Sequence, residues 1–281
     1  MKVRIGDIDV HYEEVGEGRP LLIHHGGGAV GCAQWALEQY EPLFGHRKHW
    51  RRIYIDQMGH GETPIPSWAR GMDDTVDLTL AFMDAIAPGE RFTLSGVSWG
   101  GYVARGVLHH RAEQIDGFFI WVPNYKYDGS DPAIPAHHAF THEPGFDSAA
   151  APGQEWLGNF MIDQTATGFA EARRVIYAGA AKNGDRSVFD LGPGKGFSFD
   201  PEDLPKPFPG PALILCGRQD NVTGYELPFL TRNTFPRGTH VVLDRCGHLM
   251  GVDQPLLLSA LANEWLDRVE EYVGLNQLGA G

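Results

Sequence analysis

Apolar residues along this chain fall into two kinds of run. Short unbroken stretches suit strands covered on both faces: Pro20–His24, Arg52–Asp56, Arg91–Gly96, Ile115–Val122, Ala212–Cys216 and Thr239–Leu243. Val3–Ile5 and Ile8–Glu13 turn at Gly6-Asp7, and Ile8, Val10 and Tyr12 alternate with polar residues in strand period. Other segments carry helical spacing. Val76, Leu80, Met83 and Ala87 predict a helix from Asp73 to Ala87, with Asp73 or Asp74 capping it. Leu258, Leu261, Trp265, Val269 and Tyr272 predict a last helix over Pro255–Val273. A helix of small residues is expected from Trp99 (Gly100, Gly101, Ala104, Gly106), and shorter ones around Phe169–Ala181 and Tyr225–Thr234.

From Pro123 the pattern weakens and Pro, Gly, Asp and His crowd in. The weak stretch ends at Leu204-Pro205-Lys206-Pro207-Phe208-Pro209-Gly210, which reads as a stiff re-entry linker. Strand–helix alternation on both sides of it predicts an α/β fold. That fold has a mostly parallel central sheet, helices on both faces and an inserted lid or cap. The expected division is a core of residues 1–122 and 210–281 with a cap of 123–209.

Composition narrows the classes. The 281 residues are 42% apolar, enough for a large core and too apolar for a disordered chain. No apolar run approaches the roughly 18–20 residues of a membrane span. The formal charge of −13 argues against nucleic-acid or anionic-membrane partners, which need a basic face. The N-terminal residues Met1–Asp7 lack a signal-peptide pattern, and the cysteines (Cys32, Cys216, Cys246) are few and odd in number. The expectation is a soluble protein in a reducing cytoplasm. Its oligomeric state is open.

The strongest local chemistry is Gly96-Val97-Ser98-Trp99-Gly100, which matches G-x-S-x-G. A strand precedes it and a helix follows. Such a turn lifts the serine above the sheet in strained backbone, and the flanking glycines let strand and helix approach. On these residues the chain resembles the α/β-hydrolase superfamily, in its serine-nucleophile branch. The resemblance implies an acid and then a histidine, each just past a later strand. Asp220, in Cys216-Gly217-Arg218-Gln219-Asp220, matches the acid; Asp244 and Asp253 are rivals in sequence only. His248, in Arg245-Cys246-Gly247-His248, matches the base. The implied roles are Ser98 as nucleophile, His248 as general base then acid, and Asp220 holding the imidazole tautomer.

His25-Gly26-Gly27-Gly28 resembles the oxyanion loop of that family. The implied donors are the N–H groups of Trp99 and Gly27, with Gly28 as the alternative to Gly27. His25, Gly26 and Gly28 are expected at the site, with His25 as a hydrogen-bonder beneath the loop. Asp56-Gln57-Met58-Gly59-His60-Gly61 resembles the family's D-x-x-G-x-G turn, expected as architecture lining the site. No cofactor is implied. The adjacent pairs His109-His110 and His137-His138 diverge on a helix or a strand, so no metal site is expected.

A serine nucleophile excludes the dehalogenase and epoxide-hydrolase branches, which use Asp there. The expected reaction is hydrolysis of a carboxylic ester or related acyl bond of a small substrate. The cap aromatics Tyr125, Tyr127, Phe140, Trp156, Phe160, Phe169 and Tyr177 form either an apolar substrate pocket or the cap's own core. Three alternatives stand beside esterase. The glycine loop, Asp56-Gln57 and Ser98-Trp99-Gly100 are similar to proline iminopeptidase motifs, although Ala29 follows the glycines, the loop has no Pro, and Met58 replaces Arg. That activity needs cap acids for a substrate ammonium: Asp128, Asp131, Glu143, Asp147, Glu155 and Asp163 are available. The second is a C–C bond hydrolase or lactonase using the same triad. The third is a non-catalytic ligand receptor on the same fold.

Overall fold

The computed structural model describes residues 1–28, 30–126, 133–146, 155–177 and 196–278, with the backbone alone at Glu155 and at 275–278. Ala29, Tyr127, Asp128, Asp131, Asp147, the side chain of Glu155 and the expected helix beyond Tyr177 therefore lie outside the described residues.

The strands in chain order are β1 (Lys2–Ile5), β2 (Ile8–Val15), β3 (Arg19–His24), β4 (Trp50–Ile55), β5 (Phe92–Val97), β6 (Ile115–Trp121), β7 (Thr141–His142), β8 (Asp163–Gln164), β9 (Ala212–Gly217) and β10 (Gly238–Leu243). Eight of them form one sheet in the order β1-β2-β4-β3-β5-β6-β9-β10. β2 runs antiparallel to β1 and β4; every other pairing in that sheet is parallel. The pair β7–β8 lies apart, between β6 and β9 in sequence.

Parallel strands need crossovers, and helices supply them. They are α1 (Ala33–Phe44), α2 (Asp73–Ile86), α3 (Trp99–Arg111), α4 (Ala166–Ile176), α5 (Glu226–Leu230), α6 (Met250–Asp253) and α7 (Pro255–Leu278). Successive strand residues point to opposite faces, so each strand feeds two cores. Leu21, Ile23, Tyr54, Phe119, Trp121, Leu213 and Leu215 pack beneath α1 and α7 against Tyr40, Phe44 and Trp265. Leu22, Ile53, Ile55, Leu94, Phe118, Ile120 and Ile214 pack on the other face against Phe82, Val103 and Val107 of α2 and α3. Burying such a side chain contributes about 1.5–3 kcal/mol. Both faces are covered, which is why these strands read as unbroken apolar runs.

Three local expectations change. The hydrophobic pattern predicts no element between Gly28 and Arg52, yet α1 occupies Ala33–Phe44 with Pro42 inside it. Neither Asp73 nor Asp74 caps α2: Met72 holds that position, and the Asp74 carboxylate accepts the N–H groups of Arg70 and Gly71 in the preceding turn. The helix expected over Tyr225–Thr234 shrinks to Glu226–Leu230. Among the described residues no helix is long and apolar enough to cross a membrane.

The sheet order fixes where a site can form. The chain leaves β3 through α1 to β4 on one side, then reaches β5 on the other side of β3. At such a switch point the carboxyl ends of neighbouring strands open a crevice. The His25–Gly28 loop leaves β3 there, and Ser98 leaves β5.

Candidate active site

Ser98 stands between the end of β5 and the start of α3 with φ 53° and ψ −120°. This left-handed geometry is costly for a residue with a Cβ, of the order of 1–3 kcal/mol. Its neighbours impose it. A Cβ on Gly96 would sit 2.3 Å from the Gly100 carbonyl oxygen, and one on Gly100 would sit 2.4 Å from the carbonyl oxygens of His24 and His25. Only glycine at both positions lets α3 begin this close to β5 and β3. The Ser98 N–H donates to Trp121 O at 3.1 Å, tying the elbow to the end of β6.

Residues from three strand ends converge on this turn. The Ser98 Oγ lies 3.0 Å from His248 Nε2, and His248 Nδ1 lies 3.0 Å from Asp220 Oδ2 and 3.2 Å from Oδ1. Asp220 follows β9 and is fully buried; His248 follows β10. The Asp220 carboxylate accepts the N–H groups of Val222 (2.9 Å) and Thr223 (3.0 Å) and the Thr223 hydroxyl (2.7 Å). Burial by itself would raise this carboxyl, but the imidazole and the Thr223 donors outweigh it and hold it below the ordinary carboxylate value. An ionised Asp220 accepts the Nδ1 proton and leaves Nε2 as the acceptor facing Ser98.

The two rival acids stand elsewhere. Asp244 is exposed and accepts the Gln219 amide at 3.0 Å. Asp253 accepts the Gly247 N–H at 2.8 Å, one residue before His248, and burial pushes it up to about 7.

The glycine loop forms the opposite wall. Gly26, Gly27 and Gly28 line the same cavity as Ser98, Trp99 and His248. His25 does not line it. It is fully buried, its Nε2 accepts the Gln57 N–H at 3.1 Å, and its Nδ1 lies 2.5 Å from Gly26 O. Burial drives its pKa down to about 3, so the ring is neutral and Nδ1 carries the proton donated to Gly26. Asp56 locks the far end of the loop: it accepts from Ala33 N–H (2.5 Å), Glu62 N–H (2.8 Å) and His11 Nδ1 (2.7 Å). It therefore lies behind the site and not in it.

Above Ser98 opens a cavity of about 530 Å³, within the range of small-molecule sites. Trp35, Trp121, Val175, Ile176, Leu249 and Val252 make it apolar. Of the cap aromatics, Trp156, Phe160 and Tyr177 reach it. Phe169 packs instead on Phe146, Phe140 faces Arg245, and Tyr125 stacks under the Arg105 guanidinium at 3.8 Å. The polar groups in the wall, besides Ser98 and His248, are Gln39, Asn124, Tyr177 and the indoles. No Asp, Glu, Lys or Arg lines the cavity among the described residues. Among them, too, no group of three or more His, Cys, Asp or Glu is arranged to hold a metal ion.

Sequence reasoning missed Gln39, Asn124 and Thr223. Thr223 was findable, because a Thr three residues after an Asp can close a turn onto it. Asn124 carries no local signal beyond following β6.

Comparison with known proteins identifies the family. A sequence model of the alpha/beta hydrolase family matches residues 21–261. The chain is 24% identical over 270 residues to an (E)-2-((N-methylformamido)methylene)succinate hydrolase of Acinetobacter baylyi, covering 92% of this chain and 94% of that protein. It is 24% identical over 260 residues to a 2-hydroxy-6-oxo-6-(2'-aminophenyl)hexa-2,4-dienoic acid hydrolase of Metapseudomonas resinovorans, covering 90% and 86%. The solved structure of an alpha/beta superfamily hydrolase from Oenococcus oeni PSU-1 superposes with a TM-score of 0.82 at 24% identity, over 96% of this chain and 99% of that one.

Proposed function

Because the chain belongs to the alpha/beta hydrolase family, we propose that it is a serine hydrolase cleaving a carboxylic ester of a small, uncharged substrate. Ser98 attacks the ester carbonyl while its proton passes to His248 Nε2. The carbonyl oxygen gains negative charge and is met by the N–H groups of Gly27 and Trp99. His248 then protonates the departing alcohol. A water, activated by the same imidazole, releases the acid from Ser98. Asp220 keeps Nδ1 protonated and stabilises the imidazolium. Residues 123–209 act as the lid that shapes the pocket.

The observation that carries the ester reading is the cavity wall over Ser98, in which no Asp, Glu, Lys or Arg stands among the described residues. A prolyl peptide brings an ammonium, which needs carboxylates. Glu143 instead accepts the Ala166 N–H, and Asp163 pairs with Arg245; neither lines the cavity. The acids named for the two relatives bring carboxylates, which call for a cation. A buried unpaired charge costs several kcal/mol, so this wall favours neutral acyl and alcohol groups.

The test has two parts. A fluorophosphonate label is expected on Ser98 in the parent and absent in Ser98→Ala, with turnover reduced by roughly 10⁴–10⁶. Across a panel of neutral esters, carboxylated esters and prolyl amides, the neutral esters are expected to give the highest kcat/KM. A preference for prolyl amides or carboxylated substrates would overturn the ester reading while leaving the serine nucleophile in place.

A further inference from the structure

The end of β6 makes a strained turn. Val122 follows the last strand residue with φ 41°, a left-handed backbone that a β-branched side chain resists. It is held there from several sides. Its N–H donates to Leu215 O at 2.8 Å, its carbonyl accepts the Thr223 hydroxyl at 3.2 Å, and its side chain is fully buried. The residue that the turn delivers is Asn124.

Asn124 is clamped in its turn. Its N–H donates to Ser98 O at 3.1 Å. Arg105, on the same helix that Ser98 starts, donates to Asn124 O at 3.3 Å and to Tyr125 O at 3.4 Å. Arg105 is itself buried, paired with Glu202 at 2.6 Å and seated over the Tyr125 ring. The outcome is a carboxamide that lines the cavity with its Oδ1 at 3.3 Å from Ser98 Oγ. Strain kept in place by several independent contacts is the signature of a positioned functional group.

We propose that Asn124 is a further catalytic residue, a second hydrogen-bond partner for the Ser98 hydroxyl beside His248. This rests on the serine-nucleophile reading above. Ser98 Oγ carries one proton and faces two acceptors, His248 Nε2 at 3.0 Å and Asn124 Oδ1 at 3.3 Å. With its O–H directed at Asn124 Oδ1 the hydroxyl is parked; with the O–H directed at His248 Nε2 the proton can leave and the oxygen can attack. A half-turn of the carboxamide about its last torsion replaces Oδ1 by Nδ2–H, a donor. On attack, the Oγ–H bond breaks to His248 and the Oγ–C bond forms. On release, water adds, the Oγ–C bond breaks, and Oγ recovers its proton from His248. Negative charge returns to Oγ in that last step, and Nδ2–H meets it there. Asn124 thus serves the serine oxygen as Gly27 and Trp99 serve the carbonyl oxygen.

The experiment uses full-length Asn124→Leu and Asn124→Asp, compared with the parent. Fluorophosphonate labelling reads Ser98 directly, and p-nitrophenyl acetate hydrolysis gives kcat, KM and the pH profile. Asn124→Asp keeps the size and backbone contacts but has no N–H to donate, so it remains informative if the leucine variant folds poorly. Both variants are expected to lose about 10–100-fold in kcat with KM within threefold. Asn124→Asp should also shift the acid limb upward, because a carboxylate beside the site favours the protonated imidazole. Labelling and kcat within twofold of the parent in Asn124→Asp, with an unmoved acid limb, would overturn the inference and leave Asn124 as wall. A parent that takes no label would overturn the serine-nucleophile reading, and this inference with it.

Discussion

Two carboxylates flank the His248 loop and behave in opposite ways. Asp220 is fully buried and Asp253 partly buried, and loss of water pushes both upward. Asp220 meets a Thr hydroxyl, two main-chain N–H groups and an imidazole, and ends below the ordinary carboxylate value. Asp253 meets the Gly247 N–H and rises to about 7. Burial does not decide the charge of a buried acid; the number of donors aimed at it does. Only the acid with the fuller set of donors can serve as a standing anion beside an imidazole.

The largest way to break this contrast is Asp220→Asn. The loop geometry should survive, but the amide can donate to Nδ1 and favour the wrong tautomer. A loss of about 10⁴ in kcat is expected in the folded variant. A loss below tenfold would show that another acid serves His248. Thr223→Val comes next. It removes the 2.7 Å donor from Asp220 and the contact to Val122 O, and should cost about 2 kcal/mol in denaturant titration. The sign of its pH dependence follows from the depressed carboxyl. Stability from Asp220 is present above the unfolded value of about 3.9 and is lost as pH falls through the lower folded value. The variant, with a less depressed Asp220, should therefore acid-denature at higher pH than the parent.

Asp253→Asn is the smallest expected change and the sharpest contrast. A raised carboxyl works the other way: between about 4 and 7 the folded chain holds a proton that the unfolded chain has released, so stability falls as pH rises through that window. Asparagine keeps an acceptor for Gly247 and removes the titration. The variant should be more stable than the parent at pH 8 and equal to it near pH 4, with kcat within threefold. An equal difference at both pH values would mean that Asp253 does not titrate in this range.

The same difference explains what could be read in the sequence. Ser98, Asp220 and His248 each lie one short turn past an apolar strand, and strand ends are where local pattern and global topology coincide. The loop Gly26–Gly28 and the turn at Asp56 were legible for the same reason. α1 carries a helical stripe (Ala33, Ala36, Tyr40, Leu43), but Pro42 and the glycines ahead of it interrupt the pattern. Asn124 was invisible because its position depends on the backbone turn at Val122, set by contacts from Leu215 and Thr223 far along the chain. The cavity wall between β6 and β9 divides its aromatics between pocket and packing, and residue type cannot tell Phe160 from Phe169. In the sequence Asp253 is only a rival acid, since a count of donors exists only in three dimensions.

The sheet order also has a consequence in time. Ser98 and His248 are 150 residues apart, and the strand preceding His248 lies at the far edge of the sheet. That edge joins the rest of the sheet through the parallel pairing of β6 with β9, Phe118 opposite Ala212, and pairings so distant in sequence are slow to close, because the chain loses entropy before the contacts form. Much of the tryptophan that reports folding, Trp35, Trp50, Trp99 and Trp121, belongs to the first half of the chain. Refolding followed by indole fluorescence should therefore run ahead of refolding followed by Ser98 labelling, and a chain still emerging from the ribosome would hold Ser98 bent into place long before His248 could reach it.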